Sequence, residues 1–137
     1  MLDTNFIPRS AVKRADSPEQ LHVLFAAALH ARDVEALAVL YADAACLTPR
    51  TGGCARGIAA VRDLLAHYCA MNATMQIKTR EAITVGDTAL LMSDWHMTGT
   101  GPDRSPIDAA GTSVEVARRG ADGAWRYLID LPHGVAG

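Results

Sequence analysis

The sequence predicts an α+β fold: a cone-shaped, strongly bent antiparallel sheet with about three helices packed on its concave face, enclosing a pocket. Two observations support this prediction. Apolar residues recur with a period of about 3.6 in the first half of the chain and with a period of about 2 after Met71. Helices followed by a run of antiparallel strands are typical of α+β domains. The 137 residues are enough for one domain with a buried core.

Three helices are predicted, each from an apolar face and a signal at its start. Ser17-Pro18-Glu19-Gln20 combines an N-cap, a proline at the first helical position and a capping-box glutamine. Asp33 is the predicted cap of the second helix, and Gly57 precedes the third. We expect helices over residues 18–31, 34–43 and 57–70. Residues 1–16 show no periodicity and are predicted to be a flexible arm before a single domain of residues 17–137.

The second half of the chain predicts a meander of strands. Gly86-Asp87 and the segment from Gly120 to Gly123 are turn sequences between alternating segments. The Gly-, Pro- and Asp-rich segment 99–111 is predicted to be a loop or the end of a hairpin. We expect strands over residues 75–85, 88–98, 112–119 and 124–130.

Composition and charge exclude several classes of function. Hydrophobic residues make up 50% of the chain and charged residues 20%, which is typical of an ordered globular protein. The net charge of −2, without a basic stripe, excludes a strong attraction to nucleic acid or to anionic membranes. No apolar run approaches the roughly 20 residues that span a bilayer, and residues 1–16 lack the apolar segment of a secretory signal. The sequence therefore predicts a cytoplasmic protein with neither a nucleic-acid nor a membrane partner.

Cysteine and histidine spacing predicts neither a disulfide framework nor a metal centre. The chain has three cysteines, Cys46, Cys54 and Cys69. Their number is odd and no two of them form a Cys-x-x-Cys pair, so we expect reduced thiols. The five histidines show no metal-binding spacing. We expect no metal and no cofactor.

Strict alternation along the strands predicts which side chains face the cavity. The inward set is Leu91, Ser93, Trp95 and Met97, then Ser113, Glu115 and Ala117, then Arg126, Leu128 and Asp130. The opposite face of the sheet carries Leu90, Met92 and His96, and it is apolar enough that we expect a homodimer through this outer face.

Two stretches of the chain resemble the nuclear-transport-factor-2-like superfamily, in its SnoaL-like and ketosteroid-isomerase-like branch. The first stretch consists of Asp33-Val34-Glu35-Ala36-Leu37, Leu40-Tyr41-Ala42-Asp43-Ala44-Ala45 and Arg56-Gly57-Ile58-Ala59-Ala60-Val61. The second is Asp122-Gly123-Ala124-Trp125-Arg126-Tyr127, followed by Asp130. The resemblance extends from about Glu19 to Pro132. It implies the cone-shaped fold, a pocket for a small apolar ligand and, in related proteins, dimerisation through the outer face of the sheet.

The catalytic pattern of the ketosteroid isomerases is retained at one position of three. Their aspartate base corresponds here to Thr48-Pro49, which carries no carboxylate. Their helical tyrosine corresponds to Phe25, and their protonated aspartate corresponds to Glu115. The resemblance therefore implies the fold of those enzymes without their complete catalytic set.

The candidate catalytic residues are Glu115, Asp130 and Arg126. Two carboxyl groups in an apolar cavity would have raised pKa values, and a guanidinium would lower them again, which is one way to obtain a general acid or base near neutral pH. The alternative is an ion pair between Arg126 and a carboxylate that only joins neighbouring strands.

Five further residues are predicted to contact a ligand: Trp95, Tyr41, Phe25, Ser93 and Met97. Trp95 is either a wall for a planar ligand or a large core residue. The hydroxyl of Tyr41 either enters the pocket or binds a backbone partner.

Two functions follow from these residues. One is a SnoaL-like cyclase or isomerase that catalyses cofactor-free proton transfer (isomerisation, cyclisation or dehydration) on an apolar, carbonyl-bearing compound. The alternative is a ligand-binding or oligomerisation module of the same fold without catalysis. The sequence feature that separates them is whether Glu115 and Asp130 converge on the pocket.

Overall fold

The first half of the chain forms three helices and two of the six strands. The computed structural model of the protein describes residues 13–134. In chain order its elements are α1 (Gln20–His30), α2 (Val34–Ala38), β1 (Tyr41–Leu47), β2 (Ala55–Arg56), α3 (Ile58–Ala70), β3 (Asn72–Val85), β4 (Thr88–Thr100), β5 (Pro106–Arg119) and β6 (Trp125–Leu131). The predicted α+β class is confirmed. Most of the predicted arm, residues 1–12, lies outside the described residues, and Ala15 pairs with Trp125 at the edge of the domain.

The six strands form one open sheet in the order β2-β1-β6-β5-β4-β3. Strands β3 to β6 are an antiparallel meander, as predicted. The expectation of a wholly antiparallel sheet is wrong, because β1 runs parallel to β6 and the sheet is mixed. Parallel neighbours need a long connection, and here α3 and the whole meander separate the two strands. Periodicity identifies strands but does not identify which strands pair.

The second helix is shorter than predicted. The side chain of Asp33 accepts a hydrogen bond from the backbone N–H of Ala36 at 3.0 Å, so the predicted cap is confirmed. The helix ends at Ala38 instead of near residue 43, and Tyr41 begins β1. The backbone N–H of Tyr127 donates to the carbonyl oxygen of Leu40 at 2.7 Å. The apolar spacing of this segment would also suit a helix, but its pairing with β6 makes it a strand.

The first helix begins two residues later than predicted, at Gln20. No side-chain hydrogen bond caps it, whereas Oε1 of Gln20 accepts from the N–H of Asp16 at 2.7 Å. Residues 99–111 form the end of the β4–β5 hairpin, which was one of the two predicted alternatives. Most of them are strand, because β4 continues to Thr100 and β5 starts at Pro106. Gly99 is a site of close approach, not a turn, since a Cβ atom there would overlap the carbonyl oxygen of Asn72.

Register shifts interrupt the pairing at three places in the sheet. They occur between Thr79 and Glu81 of β3, between Tyr41 and Cys46 of β1, and at the level of Val116 and Ala117, where β5 pairs with β6. Such bulges add twist and bend the strand that carries the extra residue. They favour the bent sheet that lies against α1 and α3.

Two cysteines form a bond that the sequence did not predict. Cys46 and Cys54 are joined as a disulfide, with Cα atoms 6.0 Å apart, and Cys69 is free and buried. The expectation of three reduced thiols is therefore wrong for this pair. The pairing of β1 with β2 returns the chain alongside itself and brings the two residues together.

Within residues 13–134, no helix has the length and apolar character needed to cross a membrane.

Candidate functional site

A cavity of about 480 Å³ lies between α1, α3 and one face of the sheet. Its volume is in the usual range for small-molecule sites, roughly 300–1,000 Å³. Its wall is largely apolar and includes Phe25, Leu29, Leu64, Met75, Ile77, Trp95, Met97 and Ile107. Phe25, Tyr41, Ser93, Trp95 and Met97 therefore all lie where the sequence placed them, on the cavity.

Two carboxyl groups lie side by side in this cavity. Glu115 of β5 and Asp130 of β6 are direct partners in the antiparallel pairing, and both line the cavity. Glu115 is 3% exposed and Asp130 is 5% exposed. Side chains at directly opposite positions have Cβ atoms about 4.5–5.5 Å apart. Two negative charges at that spacing in a dry site repel strongly, so the pair favours a state that holds a proton.

Arg126 does not join them, and its predicted place in the cavity is wrong. The register shift pairs Ile129 with Val116 but Tyr127 with Ala117, which leaves Leu128 as an extra residue on β6. The alternation of β6 is reset there, so Tyr127 and Asp130 both line the cavity. The Arg126 side chain instead donates to both carboxylate oxygens of Asp122, at 3.0 and 2.6 Å, and lines a separate small cleft.

A buried histidine contacts the carboxyl pair, and sequence reasoning missed it. Nε2 of His22 lies 3.0 Å from Oε1 of Glu115, and Nδ1 lies 3.0 Å from Oγ1 of Thr79. A neutral ring satisfies both contacts if Nε2–H donates to Glu115 and Nδ1 accepts from Thr79. His22 precedes Phe25 by three residues on α1, so helical spacing places both on one face and could have identified it.

A tyrosine binds the second carboxyl group. The hydroxyl of Tyr41 donates to Oδ2 of Asp130 at 2.5 Å, and the ring is 2% exposed. Of the two predicted alternatives for this hydroxyl, the structure shows the one that enters the pocket. Burial and the negative charge of Asp130 raise the pKa of Tyr41 well above its ordinary value, so Tyr41 remains a donor.

The pKa of Asp130 is strongly raised. Burial, and then the charge of Glu115, raise its pKa to about 8, while the hydrogen bond from Tyr41 acts in the opposite direction. At neutral pH the Asp130 carboxyl therefore carries a proton. Burial also raises the pKa of Tyr127 well above its ordinary value and that of Tyr68 to about 12. These two further hydroxyl groups on the cavity stay protonated.

This pKa shift can be measured by NMR titration of the carboxyl groups. One carboxyl should titrate near pH 8 instead of the ordinary value of about 4. In Glu115→Gln the Asp130 titration should move to lower pH, because a neighbouring negative charge is removed. In Tyr41→Phe it should move to higher pH, because the carboxylate loses its donor. Asp122→Asn should leave the Asp130 titration unchanged, and titration of Asp130 near its ordinary value would contradict the prediction.

Trp95 forms one side of the cavity and is fixed from two directions. Its Nε1–H donates to the carbonyl oxygen of Pro132 at 2.6 Å. Its ring faces Gly111, where a Cβ atom would lie 2.9 Å from the indole Cζ2. The indole is 8% exposed and also contacts the ring of His133, edge to face. Trp95 is thus a packed residue whose ring also borders the cavity.

Solved structures share this architecture. A protein described as a candidate association domain of calcium/calmodulin-dependent protein kinase type II, from Thiobacillus denitrificans, is 23% identical, with a TM-score of 0.74 over 90% of this chain and 99% of that one. A ketosteroid isomerase-like protein from Erwinia carotovora atroseptica is 19% identical, with a TM-score of 0.74 over 91% and 95%. A candidate dehydratase of the NTF2-like family from Streptomyces avermitilis is 18% identical, with a TM-score of 0.72 over 87% and 94%.

These similarities define the protein class. The six-stranded mixed sheet with three helices is the NTF2-like α+β fold, and at these identities the solved structures show the fold alone. Residues 23–128 match the SnoaL-like domain, so the chain belongs to the SnoaL-like domain family. A search of curated proteins gave no significant match. His22 and Asp130 lie just outside the matched residues, so the family match does not include two members of the polar cluster.

Proposed function

We propose that the protein catalyses cofactor-free proton transfer on a small, mostly apolar, carbonyl-bearing molecule. The observation that supports this most directly is the adjacency of Glu115 and Asp130 in a largely apolar cavity, with the Asp130 pKa raised to about 8. Paired acids with separated roles are a recurring arrangement in enzymes that move protons at neutral pH. Structures with this fold carry isomerase-like and dehydratase names, which agree with this class of reaction.

Each polar residue has a role in the proposed mechanism. Glu115 removes a proton from the carbon next to the carbonyl group. The protonated Asp130 donates a hydrogen bond to the carbonyl oxygen and stabilises the negative charge that develops there. Tyr41 fixes the Asp130 carboxyl through its 2.5 Å hydrogen bond, and His22 fixes Glu115 from the other side. Glu115 then returns the proton to a different carbon, which completes an isomerisation, or gives it to a leaving hydroxyl group on the neighbouring carbon, which departs as water and completes a dehydration.

Exchange of carbon-bound protons tests this function before the natural substrate is known. A panel of small cyclic ketones in D₂O should incorporate deuterium next to the carbonyl group faster with the protein than with buffer, as followed by proton NMR. A ligand without an acidic C–H, such as naphthalene, should inhibit the exchange by occupying the cavity. If no ketone of the panel exchanges faster, the second candidate, binding without catalysis, becomes the better account, because the 480 Å³ apolar cavity supports it equally.

The outer face of the sheet supports the proposal that two copies associate. Ile83, Leu90, Val116 and Ile129 are consecutive partners across four strands and form one apolar row. Ile83 is 49% exposed, Leu90 38% and Ile129 39%. A continuous apolar row of this kind is commonly covered by a partner, and a second copy can cover it with the same row.

Light scattering tests the homodimer. At micromolar concentration the mass should be twice the 14.5 kDa of one chain. Leu90→Glu places a charge in the middle of the apolar row and should give the monomer mass. Val23→Glu is the matched control, because Val23 is 69% exposed on α1, away from the sheet. A wild-type mass of one chain would contradict the proposal.

A further inference from the structure

The opening of the cavity carries basic side chains from three separate parts of the fold. Arg50 lies between β1 and β2, His67 lies on α3, and His133 follows β6. All three line the cavity and are exposed, whereas Glu115 and Asp130 line it at 3–5% exposure. The basic groups therefore mark the mouth, and the acidic groups mark the floor.

Among the residues that the structure describes, the basic groups at the mouth have no acidic partner. Within residues 13–134, none of the three forms an ion pair, and the only carboxyl groups that line the cavity are the two on its floor. Nδ1–H of His67 donates to the carbonyl oxygen of Asp63 at 2.9 Å, which leaves Nε2 without a partner among these residues. Burial and the positive charge of Arg50 lower the pKa of His133, so these two side chains are close enough to repel each other.

We propose that the ligand of this cavity is an amphipathic carboxylate, whose apolar body lies along Trp95 and whose anionic end is held at the mouth by Arg50 and His133. The planar guanidinium of arginine matches the two oxygens of a carboxylate. The acidic floor repels the same anion, so the charges of the cavity favour a single orientation. This inference rests on the proposed function only in placing the reacting carbon at the floor.

Matched ligands that cannot react test the carboxylate preference. 1-Naphthylacetate and its neutral amide have the same apolar body, and their binding can be followed by quenching of tryptophan fluorescence. The acid should bind roughly 2- to 5-fold more tightly than the amide, the range for an ion pair that is partly exposed to solvent. This preference should shrink as salt concentration rises. Binding of the acid, but not of the amide, should raise the pKa of the His133 ring, because a nearby anion favours imidazolium.

Arg50→Gln should reduce the preference for the acid, and Arg50→Gln combined with His133→Gln should abolish it, while the affinity for the amide stays unchanged. Arg56→Gln is the matched control, since Arg56 is an exposed arginine of β2 that does not line the cavity. Equal binding of acid and amide by the wild-type protein would overturn the proposal. So would a preference that survives Arg50→Gln and His133→Gln together.

The test is independent of catalysis, because neither ligand has to react. A carboxylate preference without proton exchange would refute the proposed function and leave this inference standing. Proton exchange without a carboxylate preference would support the proposed function and refute this inference.

Discussion

Glu115→Gln should lower the rate of catalysed proton exchange by about 10²–10⁴-fold, the usual contribution of a general acid or base. Glutamine has nearly the same size as glutamate and can still accept a hydrogen bond from Nε2–H of His22, so the cavity should keep its shape. Its amide cannot accept a proton from carbon at neutral pH. The loss should therefore appear in the rate of exchange, with the affinity for an unreactive ketone changed by at most about twofold.

Two further variants make this result specific. Asp130→Asn replaces the acidic O–H donor to the carbonyl oxygen by a weaker amide N–H donor, so it should lower the exchange rate by a smaller factor than Glu115→Gln. Glu81→Gln is the control, because Glu81 is an exposed carboxylate of β3 that does not line the cavity. Exchange that survives in Glu115→Gln would exclude Glu115 as the base. An equal loss in Glu81→Gln would show that the exchange does not take place in the cavity.

Alternation predicts the site correctly where the pairing of two strands is unbroken. Strands β4 and β5 pair without interruption from Thr88 and Arg118 to Thr100 and Pro106. Alternate residues of both strands therefore stay on one face, and Trp95 and Glu115 lie on the cavity as the sequence indicates.

The same reasoning fails where one extra residue enters a strand. The bulge at Leu128 reverses the faces on either side of it, so Arg126 turns outward while Asp130 remains inward. Nothing in the local sequence distinguishes this bulge from a regular strand. The alternation therefore predicts the inward position of Asp130 correctly and that of Arg126 wrongly, although both predictions rest on the same pattern.

The polar cluster of the site depends on contacts between residues that are far apart in the sequence. His22 and Glu115 are separated by 93 positions, and Tyr41 and Asp130 by 89. Each of these residues is compatible with a core position on its own strand or helix. Only the packing of α1 over the sheet and the parallel pairing of β1 with β6 bring their polar atoms together.

The protonated state of Asp130 should make the folded protein less stable as pH rises. The folded-state pKa of about 8 exceeds the unfolded value of about 4, so the folded state binds the proton more tightly. This contribution to stability is fully present below about pH 4 and is lost as pH rises through about 8. Because each pKa unit corresponds to about 1.4 kcal/mol, the loss should be on the order of a few kcal/mol.

Asp130→Asn isolates this effect. Asparagine does not titrate, and its side-chain oxygen can still accept the hydrogen bond from Tyr41. Urea midpoints at pH 5, 7 and 9 should therefore fall less steeply in the variant than in the wild type, and the variant should be the more stable protein at pH 9. Asp122→Asn is the control: Arg126 holds the pKa of Asp122 well below its usual range, so its ionisation is unchanged between pH 5 and 9. Parallel pH profiles for the wild type and Asp130→Asn would show that Asp130 is already ionised in the folded protein, and the proposed proton donor to the carbonyl oxygen would then be absent.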